Sequence, residues 1–407
     1  MSPLRNLYGD KTAKLVLRTL RLALANPALP RNAVRDSFRK HFTRPRDIAR
    51  GDGVSAPPVN VKIHPTRRCN LSCEMCVQHK MRRSEGQTPA HLDPARERPP
   101  ADWAAFIAEI ARFRPTVLFI GGEPLMYAGL PEVMAAAKNH GLPVHVQTNG
   151  ILLRKRASEL LDAGLDWLIL SIDGPPHVHD RIRGLDGAFR QTMDGIRALA
   201  EERDRRGLAG PVITVNCTMI RSNLDHLLEV EELLRREPVD ALQFSHAFYN
   251  WPENVARHNN IFPAAFNPTL DEPFRLLAGQ SILDDEYYEN EIASDDAEKL
   301  KGALAALGRN RRERLPLAYL PNLPEEFIDP YYLDQGHLFG GQCSKLYRAA
   351  TVLPDGAVQS CFQIDNGNVF ERPFLDIWNG PSMRNLRRII DRKMLPGCAR
   401  CCARSFR

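Results

Sequence analysis

The chain has 407 residues, 43% of them hydrophobic and 26% charged, and this average composition excludes a disordered or collagen-like protein. The sequence shows neither an apolar run of about 18 residues, which a membrane span requires, nor a signal sequence, so we expect a cytoplasmic protein. The formal net charge of +6 comes from residues 1–60, which carry +8, so the rest of the chain is nearly neutral and no nucleic-acid partner is expected.

Residues 1–56 form a basic, helical N-terminal extension that ends before two consecutive prolines. Lys11, Lys14, Arg18 and Arg21 share one face of a predicted helix, and leucines occupy its other faces. Two interpretations of residues 11–26 remain open. Either the apolar side of the helix packs on the main domain, or the helix makes a peripheral contact with a membrane surface or an acidic partner.

Residues 57–246 alternate short β-rich runs with amphipathic segments, a pattern typical of parallel strands joined by right-handed helical crossovers. Six such units predict an α/β fold, a partial (β/α)6 TIM-like barrel, with ligands at the carboxyl ends of the strands. The predicted strands are 59–64, 116–121, 143–148, 166–172, 211–219 and 240–245, and the predicted helices are 102–113, 130–140, 154–164, 187–206 and 222–236.

Residues 247–340 lose this alternation, and we predict an irregular insert or connector there, with one helix near 296–307. Its aromatic residues are expected to fill the core of the insert rather than a substrate pocket. His246 ends the last predicted strand and is a candidate for substrate contact. The aromatic and histidine side chains concerned are Trp251, His258, Tyr287, Tyr288, Tyr331 and Tyr332.

The chain has nine cysteines, and eight of them fall in two clusters, which predicts metal centres rather than disulfides. Cys69, Cys73 and Cys76 follow the first predicted strand directly. Three thiolates on one loop suit zinc or an iron–sulfur cluster. From the residues alone zinc stays open, with His64 or His79 as its fourth ligand, whereas a four-iron cluster held by three thiolates would keep one iron open.

Further motifs stand at the ends of the following strands, namely Gly121-Gly122-Glu123-Pro124, Thr148-Asn149-Gly150, Ser171-Ile172-Asp173-Gly174 and the stretch from His179 to Gly184. Together with the C-x3-C-x2-C loop, they resemble the radical S-adenosylmethionine (SAM) superfamily, in which the open iron chelates the amino and carboxylate groups of SAM. The family commonly has an aromatic residue where this chain has Met75, whose side chain is still apolar enough to cover an adenine.

The resemblance implies a role for each of these motifs. Glu123 and the flanking Gly121, Gly122 and Pro124 would bind the methionyl amino group of SAM. Thr148, Asn149, Ser171 and Asp173 would line the pocket, with Ser171 contacting the ribose. Arg183, or alternatively Arg181, would pair with the SAM carboxylate, and Asn216 would contact the ribose or adenine.

The second cysteine cluster lies in residues 341–407 and resembles the SPASM/twitch extension of radical SAM enzymes. The resemblance implies one auxiliary [4Fe–4S] cluster held by Cys343, Cys361, Cys398 and Cys401, with Cys402 able to replace Cys401. A zinc ribbon built from the same thiols is the alternative. Cys217 stands alone on a predicted buried strand and is expected to be a core residue. The alternative is that it donates a hydrogen atom to a substrate radical, for which its side chain would have to point into the barrel.

The resemblance also implies the reaction. A flavodoxin- or ferredoxin-like donor would supply one electron to the first [4Fe–4S] cluster. SAM would then be cleaved to a 5′-deoxyadenosyl radical that abstracts a hydrogen atom from the substrate, while the auxiliary cluster handles an electron. We expect a small-molecule substrate. A peptide or protein is the alternative, although residues 1–56 are too short for the winged-helix recognition domain that peptide maturases often carry.

Overall fold

The computed structural model describes residues 10–76, 97–247, 251–266, 275–276, 292–309, 314–334, 336–339, 343, 345–361 and 364–401. His79, Tyr287, Tyr288 and Cys402 therefore lie outside the described residues.

One sheet of eleven strands organises this part of the chain. The strands are β1 Asn60–Ile63, β2 Thr116–Phe119, β3 Val144–Thr148, β4 Trp167–Ser171, β5 Val212–Met219, β6 Ala241–His246, β7 Arg275–Leu276, β8 Leu317–Leu320, β9 Ala349–Val352, β10 Ala357–Gln359 and β11 Ile364–Asn368. Their order in the sheet is β7-β11-β10-β9-β1-β2-β3-β4-β5-β6-β8. The strands β1 to β6 pair in parallel and in chain order, which confirms the predicted α/β class and its six strands.

Helices connect the parallel strands and bury an apolar side against the sheet, as in the helix Leu130–Asn139, where Leu130, Val133 and Met134 are fully buried. No helix in the described part of the chain combines the length and apolar character needed to cross a membrane. The α-helices are α1 Asp10–Ala25, α2 Ala28–Phe38, α3 Arg44–Arg50, α4 Pro100–Ala111, α5 Leu130–Asn139, α6 Leu153–Asp162, α7 Pro176–Arg183, α8 Ala188–Arg205, α9 Leu227–Leu234, α10 Pro252–Phe266, α11 Ser294–Gly308, α12 Ile328–Leu333, α13 Lys345–Arg348, α14 Phe374–Trp378 and α15 Pro381–Arg392. A π-helix, Arg39–Thr43, joins α2 to α3, and 3-10 turns span Pro124–Met126, Arg221–His226, Glu325–Phe327 and Pro396–Cys398.

The segment 247–340 is more regular than its sequence pattern indicates. The helix expected near 296–307 is α11, but α10 and the strand β8 were not predicted. β8 pairs in parallel with β6, with Leu242 opposite Leu317 and Ser245 opposite Leu320. A four-residue strand between Pro316 and Pro321 has too few residues to show a periodicity, so only its pairing with β6 reveals it. The prediction of an irregular connector is therefore corrected for the described part of the segment.

The C-terminal segment joins the same sheet at its other side. β9 pairs in parallel with β1, and β10 and β11 continue the sheet in antiparallel order. Phe262 and Phe266 of α10 pack with Cys343, Leu346 and other residues of the C-terminal segment in one apolar cluster. The described structure thus contains one sheet across the three predicted domains after residue 57, and the domain boundaries themselves remain a prediction.

The helices of residues 10–50 cover the N-terminal ends of the barrel strands. Arg18 donates to Asp240 at 3.2 Å, just before β6, and Asn26 donates to Asp166 at 3.1 Å, just before β4. Asn32 donates to Thr116, the first residue of β2, at 3.2 Å. Polar contacts therefore hold this extension against the barrel, at the end opposite to the one where parallel-strand folds place their ligands.

Candidate functional site

The loop that carries Cys69, Cys73 and Cys76 runs between the segment after β2 and the C-terminal end of α7. On one side, the amides of Gly122 and Glu123 donate to the carbonyls of Thr66 and Arg68 at 3.1 and 2.7 Å. On the other side, the amides of Ser72 and Glu74 donate to the carbonyls of Arg183 and Ile182 at 3.3 and 2.8 Å. These backbone hydrogen bonds fix the loop across the carboxyl ends of the strands.

Gly121 and Gly122 permit the close contact on the first side. Gly121 has a φ of +139°, and a Cβ atom at Gly122 would lie 2.2 Å from the carbonyl oxygen of Arg68. Any larger residue would push the cysteine loop away, because that oxygen belongs to the loop backbone. The two glycines therefore bring the end of β2 and the cysteine loop together.

Glu123 is buried inside this contact. Its carboxylate accepts hydrogen bonds from the Thr148 hydroxyl at 2.6 Å, the Asn149 amide at 2.8 Å and the Leu125 amide at 3.0 Å. Burial raises the pKa of Glu123, although these hydrogen bonds oppose the rise. The side chain thus holds the end of β3 in place, and its role toward the amino group of SAM remains a prediction.

Asn149 carries the contact from β3 to the cysteine loop. Its side-chain amide donates to Asn70 Oδ1 at 2.8 Å and lies 3.8 Å from the Cys69 sulfur. Thr192 of α8 donates to the Asn149 carbonyl at 2.9 Å. Asn149 therefore contacts the loop directly and Thr148 contacts Glu123 beside it, while Pro124 is buried and begins the 3-10 turn that follows Glu123.

A buried ion pair stands beside the second cysteine. Arg183 Nε donates to Asp173 Oδ2 at 2.6 Å, and Arg183 Nη1 lies 3.6 Å from the Cys73 sulfur. Burial lowers the pKa of Arg183, but Asp173 and the Cys73 sulfur together raise it above its ordinary value. Arg181, the alternative to Arg183, is exposed and donates to the carbonyl of Ser222. Only Arg183 of the two reaches the cysteine loop.

The three loop thiols lie close enough to influence one another. Burial raises the pKa of Cys69 to about 11, with Glu123, Cys73 and Cys76 adding to the rise. Burial also raises the pKa of Cys73, against the effect of Arg183. Among the described residues, no three His, Cys, Asp or Glu side chains are arranged to hold a single metal ion. The fit to an iron–sulfur cluster rests on the donors. Three free thiols lie on one loop, and the Arg183 cation favours the thiolate form of one of them, Cys73.

A second group of thiols converges in the C-terminal segment. Burial raises the pKa of Cys361, and the neighbouring Cys343, Cys401 and Cys398 contribute to the rise. Burial and Cys401 raise the pKa of Cys343. Three of these thiols, Cys343, Cys361 and Cys398, lie in one apolar cluster. Four soft donors close together fit an iron–sulfur centre, which binds thiolates and displaces their protons. Cys401 thus lies near Cys343 and Cys361, and its role as a cluster ligand remains a prediction.

The polar side chains of β4, β5 and β6 lie on the open face of the sheet. Ser171 of β4 is opposite Asn216 of β5 in the strand register, and both are half-buried. Asn216 Oδ1 accepts hydrogen bonds from Gln243 at 2.8 Å and Ser245 at 2.6 Å. Gln243 and Ser245 were not singled out from the sequence, although the two-residue period of β6 would have placed them on the same face.

Two side chains that the sequence analysis considered, Cys217 and His246, do not lie on this open face. Cys217 is fully buried on the opposite face of β5, where the side-chain nitrogen of Asn223 lies 3.8 Å from its sulfur. The alternative role of Cys217 as a hydrogen-atom donor into the barrel is therefore not supported. His246 is also buried, and its Nδ1 lies 2.7 Å from the Tyr332 hydroxyl. The prediction that His246 contacts substrate is corrected, because the alternation of β6 turns Ser245, not His246, to the open face.

Comparison with protein families agrees with this geometry. Residues 63–234 match the family model of the radical SAM superfamily, and residues 343–402 match the SPASM iron–sulfur cluster-binding domain. The fold and the two groups of thiols define an enzyme of the radical SAM class. The chain belongs to this superfamily and carries a C-terminal SPASM domain, so its cofactors are a SAM-binding [4Fe–4S] cluster, SAM and an auxiliary iron–sulfur cluster.

The similar proteins have names that refer to different substrates. The chain is 27% identical to Fe-coproporphyrin III synthase of Methanosarcina barkeri, over 83% of this chain and 78% of the relative. It is 31% identical to PqqA peptide cyclase of Bradyrhizobium diazoefficiens, over 54% of each. Streptococcus suis SuiB bound to its precursor peptide SuiA has a similar fold, with a TM-score of 0.55 and 14% identity over 82% of this chain and 67% of SuiB.

Proposed function

We propose that this radical SAM enzyme abstracts a hydrogen atom from a small-molecule substrate at the carboxyl ends of the barrel strands. The observation that carries the choice of a small molecule is the position of residues 10–50. These residues are helical and pack on the N-terminal ends of the strands, away from the cysteine loop. They therefore do not place a recognition module for a peptide beside the substrate end. The match to a coproporphyrin synthase over most of the chain also supports this choice.

The residues described above have distinct roles in the proposal. Cys69, Cys73 and Cys76 hold the first cluster, which together with SAM supplies the 5′-deoxyadenosyl radical. Arg183 provides a fixed positive charge at the Cys73 sulfur and is the candidate for the SAM carboxylate. Ser171 and Asn216 offer polar groups to the nucleoside on the open face of the sheet. Glu123, buried among three protein donors, keeps Thr148 and Asn149 in position.

The auxiliary site has a different task. Cys343, Cys361, Cys398 and Cys401 together would supply one thiolate to each iron of a single [4Fe–4S] cluster and leave no iron open. A substrate would then have no vacant coordination position there. We therefore propose that this centre accepts or relays an electron, and that a flavodoxin- or ferredoxin-like protein supplies the first one.

A peptide substrate is the second candidate function. It is favoured by the match to PqqA peptide cyclase, at 31% identity. The likeness of the fold to SuiB, solved with its precursor peptide, does not decide between the two substrate classes, because the sequences are only 14% identical.

The substrate class is tested with the anaerobically reconstituted enzyme, SAM and dithionite. Extracts of cells grown in deuterium oxide are separated into a small-molecule fraction and a peptide fraction, and each is added to the enzyme. Transfer of deuterium into 5′-deoxyadenosine marks the fraction that contains the substrate. We expect transfer from the small-molecule fraction, and transfer from the peptide fraction alone would overturn the proposal. Replacing dithionite by flavodoxin or ferredoxin tests the electron donor.

The two metal centres are tested by iron and sulfide analysis of the triple variant Cys69→Ala/Cys73→Ala/Cys76→Ala. We expect about four irons to remain of the roughly eight in the unaltered enzyme, as two four-iron clusters require. The matched variant Cys217→Ala should keep all of its iron, because Cys217 lies in the core between sheet and helices. Loss of all iron in the triple variant would refute an independent auxiliary site.

A further inference from the structure

The helices of residues 10–50 expose an unusual number of large apolar side chains. On α1, Leu17, Leu20 and Leu24 are 41%, 55% and 83% exposed and stand at helical spacing. On α2 and the π-helix, three further residues recur every four positions: Val34, Phe38 and Phe42 are 70%, 54% and 55% exposed. These six are more than half of the eleven exposed large apolar residues in the described chain. Single exposed leucines are ordinary, but such a concentration marks an interaction surface.

The exposed charged side chains described on these helices have one sign. Of the charged side chains that the structure describes as exposed in residues 11–50, all are cationic: Lys14, Arg21, Arg31, Arg46 and Arg50. The acidic residues Asp36 and Asp47 are turned away, since Asp36 pairs with Arg348 of the C-terminal segment and Asp47 is buried. The exposed side of the extension therefore offers leucine, valine, phenylalanine and cations, without exposed carboxylates among the side chains described there.

The opposite side of the same helices is held to the barrel. Lys11 donates to the Glu237 carbonyl at 2.8 Å and Arg18 donates to Asp240 at 3.2 Å, while Leu22 is buried. The leucines at 17, 20 and 24 cannot turn inward without breaking these contacts. The interpretation that the apolar side of this helix packs on the main domain therefore holds for Ala13 and Leu22, which are buried, while Leu17, Leu20 and Leu24 remain exposed beside it.

We propose that this face, defined by Leu17, Leu20, Leu24, Val34, Phe38 and Phe42 with the flanking arginines, docks on an anionic lipid surface. Leucine and phenylalanine beside arginine are the composition of helices that lie in a bilayer interface. The cations complement acidic headgroups, each contributing to attraction near the surface. The apolar side chains project from helices rather than line a groove, which suits insertion between lipids better than capture of an acidic protein segment. Because the extension covers the N-terminal ends of the strands, the cysteine loop would face away from the bilayer.

The full-length reconstituted enzyme tests this by co-sedimentation with vesicles of phosphatidylcholine alone or mixed with phosphatidylserine. We expect binding to the mixed vesicles that weakens with salt, and little binding to the neutral ones. The variant Leu20→Glu/Leu24→Glu should lower binding by about tenfold or more, and Arg21→Glu/Arg31→Glu should lower it on anionic vesicles by a similar factor. The matched control Leu228→Glu, at a leucine of α9 that is 38% exposed, should bind as the unaltered protein does.

Iron content and circular dichroism establish that each variant is folded, and Leu24→Ser provides a milder change at the same face. Equal binding to neutral and anionic vesicles, or unchanged binding of both double variants, would overturn the proposal. Light scattering addresses a second copy of the chain as the occupant. Suppose that the unaltered protein is a dimer, that Leu20→Glu/Leu24→Glu dissociates it, and that the protein does not bind vesicles. This result would overturn the lipid assignment and leave the proposed catalytic function untouched.

Discussion

Asp173→Asn tests the buried ion pair beside the cysteine loop. The Asp173 carboxylate is fully buried. Its Oδ2 accepts a hydrogen bond from Arg183 Nε at 2.6 Å, and its Oδ1 accepts one from the Thr218 backbone amide at 3.0 Å. Asparagine has nearly the same shape and keeps an acceptor for Thr218, but it removes the negative charge facing Arg183. The guanidinium, which is 9% exposed, would then lack its carboxylate partner.

The expected magnitude follows from this geometry. Removing one partner of a buried ion pair costs about 3–5 kcal/mol, because the other charge is left desolvated. Since the Thr218 hydrogen bond can be kept, we expect a loss near the lower limit, about 3 kcal/mol in the free energy of unfolding of the metal-free chain. Urea unfolding at neutral pH, followed by circular dichroism, measures this difference.

The matched control is Glu237→Gln, which breaks the Arg197–Glu237 pair, with an N–O distance of 2.6 Å and Arg197 48% exposed. An exposed pair of this kind contributes about 0–1 kcal/mol. If Asp173→Asn lowers the free energy of unfolding by no more than Glu237→Gln does, then burial does not make the Asp173–Arg183 pair more stabilising than an exposed pair. That result would refute our reasoning about the loop.

Three further predictions concern other parts of the molecule. Gly122→Ala should displace the cysteine loop and reduce bound iron, because the new Cβ would lie 2.2 Å from the Arg68 carbonyl oxygen. The control is Gly302→Ala, at a position with open space around it. It should leave the iron content unchanged and stabilise α11 by about 0.5–1 kcal/mol. Burial lowers the pKa of His246 to about 3. Between about pH 3 and about pH 6.5, the imidazole is therefore protonated in the unfolded chain but not in the folded chain. The free energy of unfolding accordingly decreases as the pH falls through this range. His246→Gln should reduce that loss by about 1.4 kcal/mol per pH unit in urea unfolding between about pH 6.5 and 4.5, and an unchanged slope would contradict the assignment. The charge of Lys345 lowers the pKa of Cys343 and of Cys361, against the effect of burial. Lys345→Met should therefore lower the auxiliary potential in a redox titration monitored by electron paramagnetic resonance and leave that of the first cluster unchanged, since a fixed positive charge favours the reduced state.

The sequence alone determined the features that depend on neighbouring residues. The alternation of β-rich and amphipathic segments predicted the strands β1 to β6 to within two residues at each end, because buried strands and amphipathic helices have different periods. The spacing of Cys69, Cys73 and Cys76, directly after the first strand, indicated a metal centre on that loop. The grouping of Cys343, Cys361, Cys398 and Cys401 rested on resemblance to a known pattern, and the structure brings these four thiols together.

Only the tertiary structure decided which partner each polar group meets. Glu123 accepts from Thr148, which is 25 residues away, and Asp173 pairs with Arg183 at the sulfur of Cys73, 110 residues before that arginine. The strand β8 exists through its pairing with β6, and the leucines of α1 stay exposed because polar contacts to the barrel hold the other side of the helix. Such pairings join residues far apart in the chain, and no local periodicity encodes which of several polar groups comes within hydrogen-bond distance.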